Sequence, residues 1–349
     1  HAADAQRTIG SIASGTDQLT LAIPGLIAGS AVRPVARPSD GVAEAYLELA
    51  GALRQQDATD FAMLLLHLAI DLRPDLTPAR MLMADVMEGT HHPDQALAIL
   101  APVPEQDPLI AVVRLNRAML TNRLGRTDDA LRQLDRLAKD YPDSPVPEIE
   151  AGDVLREKSR FQEAIVAYNQ ALARTRGPSR TIWPLLYARG VAYDRAHEWP
   201  KAEADFKRAL ELAPDQPTVL NYLGYSWADQ GTNLPQSRQM IEKALQQRPD
   251  DGAIIDSLGW VTLRQGDPQA AVKLLEHAVE LEPEDATING HLGDAYWAVG
   301  RKLEAMFQWR RALTLNPEPE DAVRIEGRLH ETTAALSDAP ATAEHRTIQ

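Results

Sequence analysis

The chain has 349 residues, 44% of them hydrophobic and 25% charged, the composition of a folded protein rather than of a disordered or membrane-spanning one. Fifty Asp and Glu against 36 Lys and Arg give a net charge of −14. Each phosphate contact needs a cation, so a nucleic-acid partner is disfavoured and a basic or neutral partner favoured. Cys is absent, which excludes disulfide frameworks, Cys-ligated zinc, iron–sulfur clusters and a thiol nucleophile.

In chain order, His1 reads as a tag remnant on a processed or truncated chain, and no basic stretch leads into an apolar one as a signal peptide would need. Within residues 1–42, Leu19, Leu21, Ile23, Leu26 and Ile27 form an apolar run interrupted by Pro24 and Gly25, too short and broken to span a bilayer. The expectation for this segment is a degenerate helical remnant docked on the first of the repeats that follow. The alternative is an N-terminal arm that occupies a groove of this molecule or of a neighbour.

From there a small residue recurs at Ala50, Ala84, Ala118, Gly152, Gly190, Gly224, Gly259 and Gly293, with spacings of 34, 34, 34, 38, 34, 35 and 34. Twelve residues after most of them comes another small one, as at Ala62, Ala164, Ala271 and Ala305, and a Pro closes most units, as at Pro74, Pro214, Pro283 and Pro317. Apolar residues between these marks keep helical spacing, with a turn signal such as Gly125, Gly231, Gly266 or Gly300 halfway. Each unit therefore reads as two antiparallel helices, the small residue letting the backbones approach while a larger side chain fills the space beside it, for example Tyr296 with Trp309 or Tyr193 with Phe206.

One pair cannot bury its apolar faces alone, so the expected fold is an all-α solenoid of stacked pairs. Its eight units lie near 43–76, 77–110, 111–144, 145–182, 183–216, 217–251, 252–285 and 286–319. The 38-residue spacing adds residues near Arg176 to Arg180, around Gly177-Pro178, a candidate hinge. Residues 320–336, with Val323, Ile325 and Leu329, read as an amphipathic capping helix over the last unit, and 337–349 as a mobile polar tail.

Gly293, Tyr296, Gly300, Ala305, Trp309, Ala312 and Pro317 in order, and Gly190, Tyr193, Ala202, Phe206, Ala209 and Pro214 again, resemble the tetratricopeptide repeat (TPR) family. The resemblance covers about four fifths of the chain. It implies a right-handed α-solenoid whose first helices line a concave face along which protein ligands lie.

Motifs for catalysis are missing: there is no phosphate-cradling Gly loop, zinc-peptidase helix, calcium loop or nucleophile elbow. No catalytic residue, cofactor or metal is assigned, and His91-His92, His67, His197 and His277 read as solvated turn or helix positions. Helical spacing on the first helices of the last three units instead gathers Asn221, Tyr225, Asp256, Trp260, Asp294 and Trp297 into one patch. Aromatic anchors flanked by fixed polar groups suit a peptide, the rings supplying area and the Asn and Asp orienting a backbone or a basic side chain.

The strings from Asn221 to Asp229, Asp256 to Trp260 and His291 to Trp297, with Phe307-Gln308-Trp309, further resemble proteobacterial cell-envelope TPR proteins similar to outer-membrane TPR lipoproteins that act as adaptors of carboxyl-terminal-processing proteases. That resemblance implies a bacterial periplasmic or envelope location, cytoplasm being the alternative, and a processing protease or other envelope complex as partner. The resulting expectation is a non-enzymatic scaffold or adaptor binding a protein segment along the concave face. The alternative is a structural subunit held through its convex face or N-terminal arm, and a homo-oligomer is compatible with either.

Overall fold

The computed structural model describes residue 8 and residues 18–29, 35–175 and 182–337. The expected hinge at Gly177-Pro178 and most of the expected polar tail lie outside them. Among the described residues the chain is all-α, without a strand, and it divides into two compact units between Leu212 and Ala213. No helix among them is long and apolar enough to cross a membrane.

In the first unit a 3₁₀ turn at Gln18–Ala22 runs into α1 (Ile23–Gly29). Five pairs follow: α2 (Pro38–Arg54) with α3 (Thr59–Leu72), α4 (Thr77–Gly89) with α5 (Pro93–Leu100), α6 (Ile110–Arg123) with α7 (Thr127–Asp140), α8 (Val146–Glu157) with α9 (Phe161–Arg174), and α10 (Trp183–Arg195) with α11 (Trp199–Leu212). The second unit has three pairs: α12 (Pro217–Asp229) with α13 (Leu234–Gln247), α14 (Gly252–Arg264) with α15 (Pro268–Leu281), and α16 (Ala286–Ala298) with α17 (Lys302–Thr314). A last helix, α18 (Pro319–Ser337), follows them.

Local chemistry sets these boundaries. Pro occupies the first turn of helices such as α5, α12, α13 and α15, where its missing N–H breaks no intrahelical bond. In the second unit Asp251, Asp267 and Asp285 cap α14, α15 and α16 by accepting the N–H groups of Ile254, Ala270 and Ile288 at 3.2, 3.0 and 2.9 Å. Between the two helices of every pair a residue adopts the left-handed region: Asp57, His91, Gly125, Ser159, His197, Gly231, Gly266 and Gly300, with φ from 56° to 89°, joined in the α12–α13 turn by Asn233 at 48°. His91 and His197 are thus turn residues.

The crossing within each pair is set by a size match. A Cβ on Gly152 would come 2.4 Å from the Tyr168 ring, on Gly190 2.6 Å from Phe206, on Gly224 2.8 Å from Ile241, on Gly259 2.6 Å from Leu275 and on Gly293 2.4 Å from Trp309. In the first three pairs Ala50, Ala84 and Ala118 share their core clusters with Leu66, Leu100 and Leu134 instead. All eight large partners are at most 1% exposed. The side chain filling the space beside the small residue is therefore Trp309 or Phe206 itself. Tyr296 instead donates its hydroxyl to Glu276 at 2.8 Å, and Tyr193 lies under the cations of Arg189 and Lys201.

Residues 18–29 do not dock on the first pair. Leu21 and Ala22 are buried against Ala111, Val112 and Leu115 of α6 and Val146 of α8, and Gln18 donates to Glu150 of α8 at 2.7 Å. Gly25 passes so close to Pro108 that a Cβ would sit 2.1 Å from its carbonyl oxygen. There α6 and α8 offer Leu115, Val112 and Val146 as an apolar floor for Leu21 and Ala22.

Two substitutions should act in opposite directions. Gly259→Leu overpacks the crossing against Leu275 and is expected to cost on the order of 1–3 kcal/mol or more, with hydrogen exchange rising first in α14, α15 and their neighbours. Ser159→Gly relieves a left-handed φ of 56° and should raise stability by up to about 1 kcal/mol. Thermal melts with amide exchange check both, and a neutral Gly259→Leu would contradict the size match.

Candidate protein-binding face

The first helices of the second unit, α12, α14 and α16, carry all six residues picked from the sequence, and their surroundings differ along the unit. Asn221 and Tyr225 are one turn apart on α12 and half-buried. On α14, Asp256 and Trp260 are 4% and 8% exposed. What joins α14 to α16 is His291: its Nδ1–H donates to both oxygens of Asp256 at 2.9 Å, and its ring stacks on Trp260 with centroids 4.1 Å apart and planes 15° apart. The Tyr225 ring stands 5.9 Å from the same imidazole, and the Arg264 guanidinium covers the Trp260 ring at 5.6 Å.

His291 is the residue that helical spacing within one helix misses. It lies two positions before Gly293, whereas Asp256 lies three before Gly259 and Trp260 one after it. A residue of one first helix thus packs between two positions of the preceding first helix, an offset that only inter-repeat packing reveals.

Asp294 and Trp297 face a different neighbourhood. Asp294 accepts the Trp309 Nε1–H at 3.1 Å and an Arg324 guanidinium N–H at 2.6 Å, and Trp297 packs 5.8 Å from Trp309 with Lys302 over its ring at 5.2 Å. Arg324 belongs to α18, which also places Ile325 so near α16 that a Cβ on Gly290 would meet it at 3.3 Å. The last helix therefore lies against the first-helix face of the final pair and closes the Asp294 end of the patch. At the other end two buried atoms have no hydrogen-bond partner: the acceptor Asn221 Oδ1 and the donor Trp260 Nε1.

Charge follows the geometry. Burial, with Asp229 and Asp256 adding to it, holds the Tyr225 hydroxyl protonated far above its ordinary range. Burial opposes charge on His291, but the Asp256 carboxylate, with Asp294 behind it, outweighs burial and raises the imidazole above its ordinary value. No group of three or more His, Cys, Asp or Glu among the described residues is arranged to hold a metal.

Matches to repeat-family models cover most of this architecture. Tetratricopeptide repeat-like domain matches residues 40–185, and two Tetratricopeptide repeat models match residues 183–216 and 257–318. The chain is a tetratricopeptide repeat protein. It is 30% identical over 193 residues to the TPR repeat-containing protein PA4667 of Pseudomonas aeruginosa, a match spanning 55% of this chain and 31% of that protein. It is 24% identical over 162 residues to human tetratricopeptide repeat protein 13, spanning 45% of this chain and 18% of that one. The chain thus corresponds to about a third or less of the length of these curated relatives.

Solved structures show the same TPR fold. A chain of the crystal structure of the APC/C hetero-tetramer Cut9-Hcn1 aligns with a TM-score of 0.57 at 16% identity, over 78% of this chain and 52% of that one. A tetratricopeptide repeat protein from Parabacteroides merdae aligns with a TM-score of 0.52 at 16% identity, over 84% of this chain and 99% of that one. As a TPR protein the chain has the fold of a protein-interaction scaffold.

The Asp256–His291 pair makes the second unit sensitive to pH. The folded pKa of His291 is raised above the 6.5 of an unperturbed imidazole, so protonation stabilises the fold fully below about pH 6.5, and the contribution is lost as pH rises through the folded value. His291→Gln should remove that decline, leaving a flatter stability profile between about pH 6 and pH 9 in urea unfolding. A wild-type profile parallel to that of the variant would refute the assignment.

Proposed function

We propose that this TPR protein is a non-enzymatic adaptor whose first-helix faces hold a protein segment, with Asn221, Tyr225, Asp256 and Trp260 as the contact residues of the second unit. One observation carries the reading: the first unit already holds such a segment. Residues 18–29 lie on α6 and α8 at Leu115 and Glu150. These have the same repeat positions as Asn221 and Asp256, three before the small residue, and as His291, two before it. In the second unit the unpaired Trp260 donor and Asn221 acceptor match the two hydrogen-bonding groups of a peptide unit.

A bacterial envelope location with a processing protease or other envelope complex as partner is part of this proposal. The likeness to a Pseudomonas aeruginosa TPR protein supports a bacterial setting, and the carboxylates around Trp260 suit a basic or neutral segment. A second reading, a structural subunit held through its second helices, is favoured by Phe61, Leu64, Leu68 and Leu72, which form an exposed apolar stripe along α3.

Two measurements separate the readings. A labelled peptide of residues 18–29 should bind in saturable fashion to a chain lacking residues 1–34 and at least tenfold more weakly to the full chain, while a Leu21→Asp peptide should fail to bind; equal binding to both chains would sink the first-helix mode. Capture from envelope and cytosolic fractions by the full chain should fall about tenfold, or about 1.4 kcal/mol, with Asn221→Ala plus Trp260→Phe. Capture lost instead with Phe61→Ser plus Leu64→Ser would favour the second helices.

A further inference from the structure

The second helix of each pair is 13 or 14 residues long, except α5, which stops at Leu100 after 8. The chain then runs through turns to Leu109, and Arg117 of α6 gathers the freed carbonyls of Leu100, Ala101 and Val103 with one guanidinium nitrogen at 2.6, 3.2 and 3.2 Å. A cleft of about 410 Å³ lies beside it, between Leu97 of α5, Arg117 and Thr121 of α6, and α7.

Arg117, Arg126, Arg132 and Arg136 line this cleft against a single carboxylate, Asp129, which is already paired with Arg132. The guanidinium groups of Arg126 and Arg136 have no carboxylate or hydrogen-bond partner among the described residues. Two further clefts of this unit are different: one carries Asp140 and Asp143 against Arg174, the other Asp135 and Glu148 against Lys139 and Arg174. In a chain of net charge −14, this cleft therefore carries an excess of cations over carboxylates. Burial lowers the pKa of Arg117, with Glu105 opposing the shift and Arg114 adding to it.

We propose that this cleft is a docking site for an acidic protein segment, with Arg126 and Arg136 as the groups that take its carboxylates. A guanidinium presents a planar pair of N–H donors that matches a carboxylate. Arg132 and Arg136 stand one turn apart on α7, and Arg126 stands at its N-terminus, where the helix dipole adds positive potential. Leu97 gives the segment's apolar stems a floor. An extended polyphosphate would leave the Leu97 floor unused. The site centres on α7 and includes Arg117 and Thr121 of α6; it contains none of the contact residues proposed above, so the two bindings stand or fall independently.

The test is fluorescence anisotropy on the full chain with labelled octa-glutamate at about 50 mM salt, where screening is weak. Octa-glutamine and a single-stranded oligonucleotide serve as comparison probes. Octa-glutamate should bind in saturable fashion and octa-glutamine should not. Arg126→Ala plus Arg136→Ala should weaken binding at least tenfold with an unchanged melting temperature. Arg208→Ala plus Arg238→Ala removes the same charge from exposed positions outside the cleft and should leave binding within twofold. Equal loss in the two variants, no binding of octa-glutamate, or tighter binding of the oligonucleotide would each overturn the proposal.

Discussion

Everything in this molecule rests on the crossing of two helices over a residue too small to keep them apart. Trp309 lies flat against Gly293, Tyr168 against Gly152 and Phe206 against Gly190, each contact closer than any side chain would allow. Interiors pack at crystal density, so the large ring needs the glycine and the glycine needs the ring. Where the small residue is Ala, as at positions 50, 84 and 118, the partner in the same cluster is a Leu. Volume is traded within a pair rather than across the array, which lets each repeat form its own core while drawing the rest from its neighbours.

With the crossings set, the first helices turn one face away from their partners, and the chain covers part of that face itself. In the first unit the cover is residues 18–29, seated by Leu21 and Ala22. In the second it is α18, held by Arg324 on Asp294 and Ile325 beside Gly290. An uncovered apolar face costs free energy in water. A segment of the same chain supplies the cover at a high effective concentration, and a partner that replaces it must beat that concentration. On the proposal made above, ordering of the chain's own segment and recognition of another's are the same physical event.

The charges divide by surface. Carboxylates gather beside the first helices of the second unit, where Asp256 holds His291 and Asp294 holds Arg324. Arginines gather in the cleft between α5, α6 and α7. In the two proposals above, this separation of charge sends basic and acidic segments to different places on one chain.

The spacing of small residues determined the helix pairs, their number and the turns between them, because a 34-residue unit must repeat its crossing at fixed intervals whatever surrounds it. The residues of the first-helix face were legible for the same reason: Asn221, Tyr225, Asp256 and Trp260 follow from helical geometry within single helices. The sequence left residues 1–42 as either a remnant docked on the first pair or an arm in a groove, and it did not pick His291 as a site residue. Only the tertiary structure decided that residues 18–29 lie on α6 and α8, together with the burial of Asp294 under α18 and the cleft over Leu97. Each depends on the offset between neighbouring repeats or on contacts far apart in the chain, and a periodic pattern read along one helix carries neither.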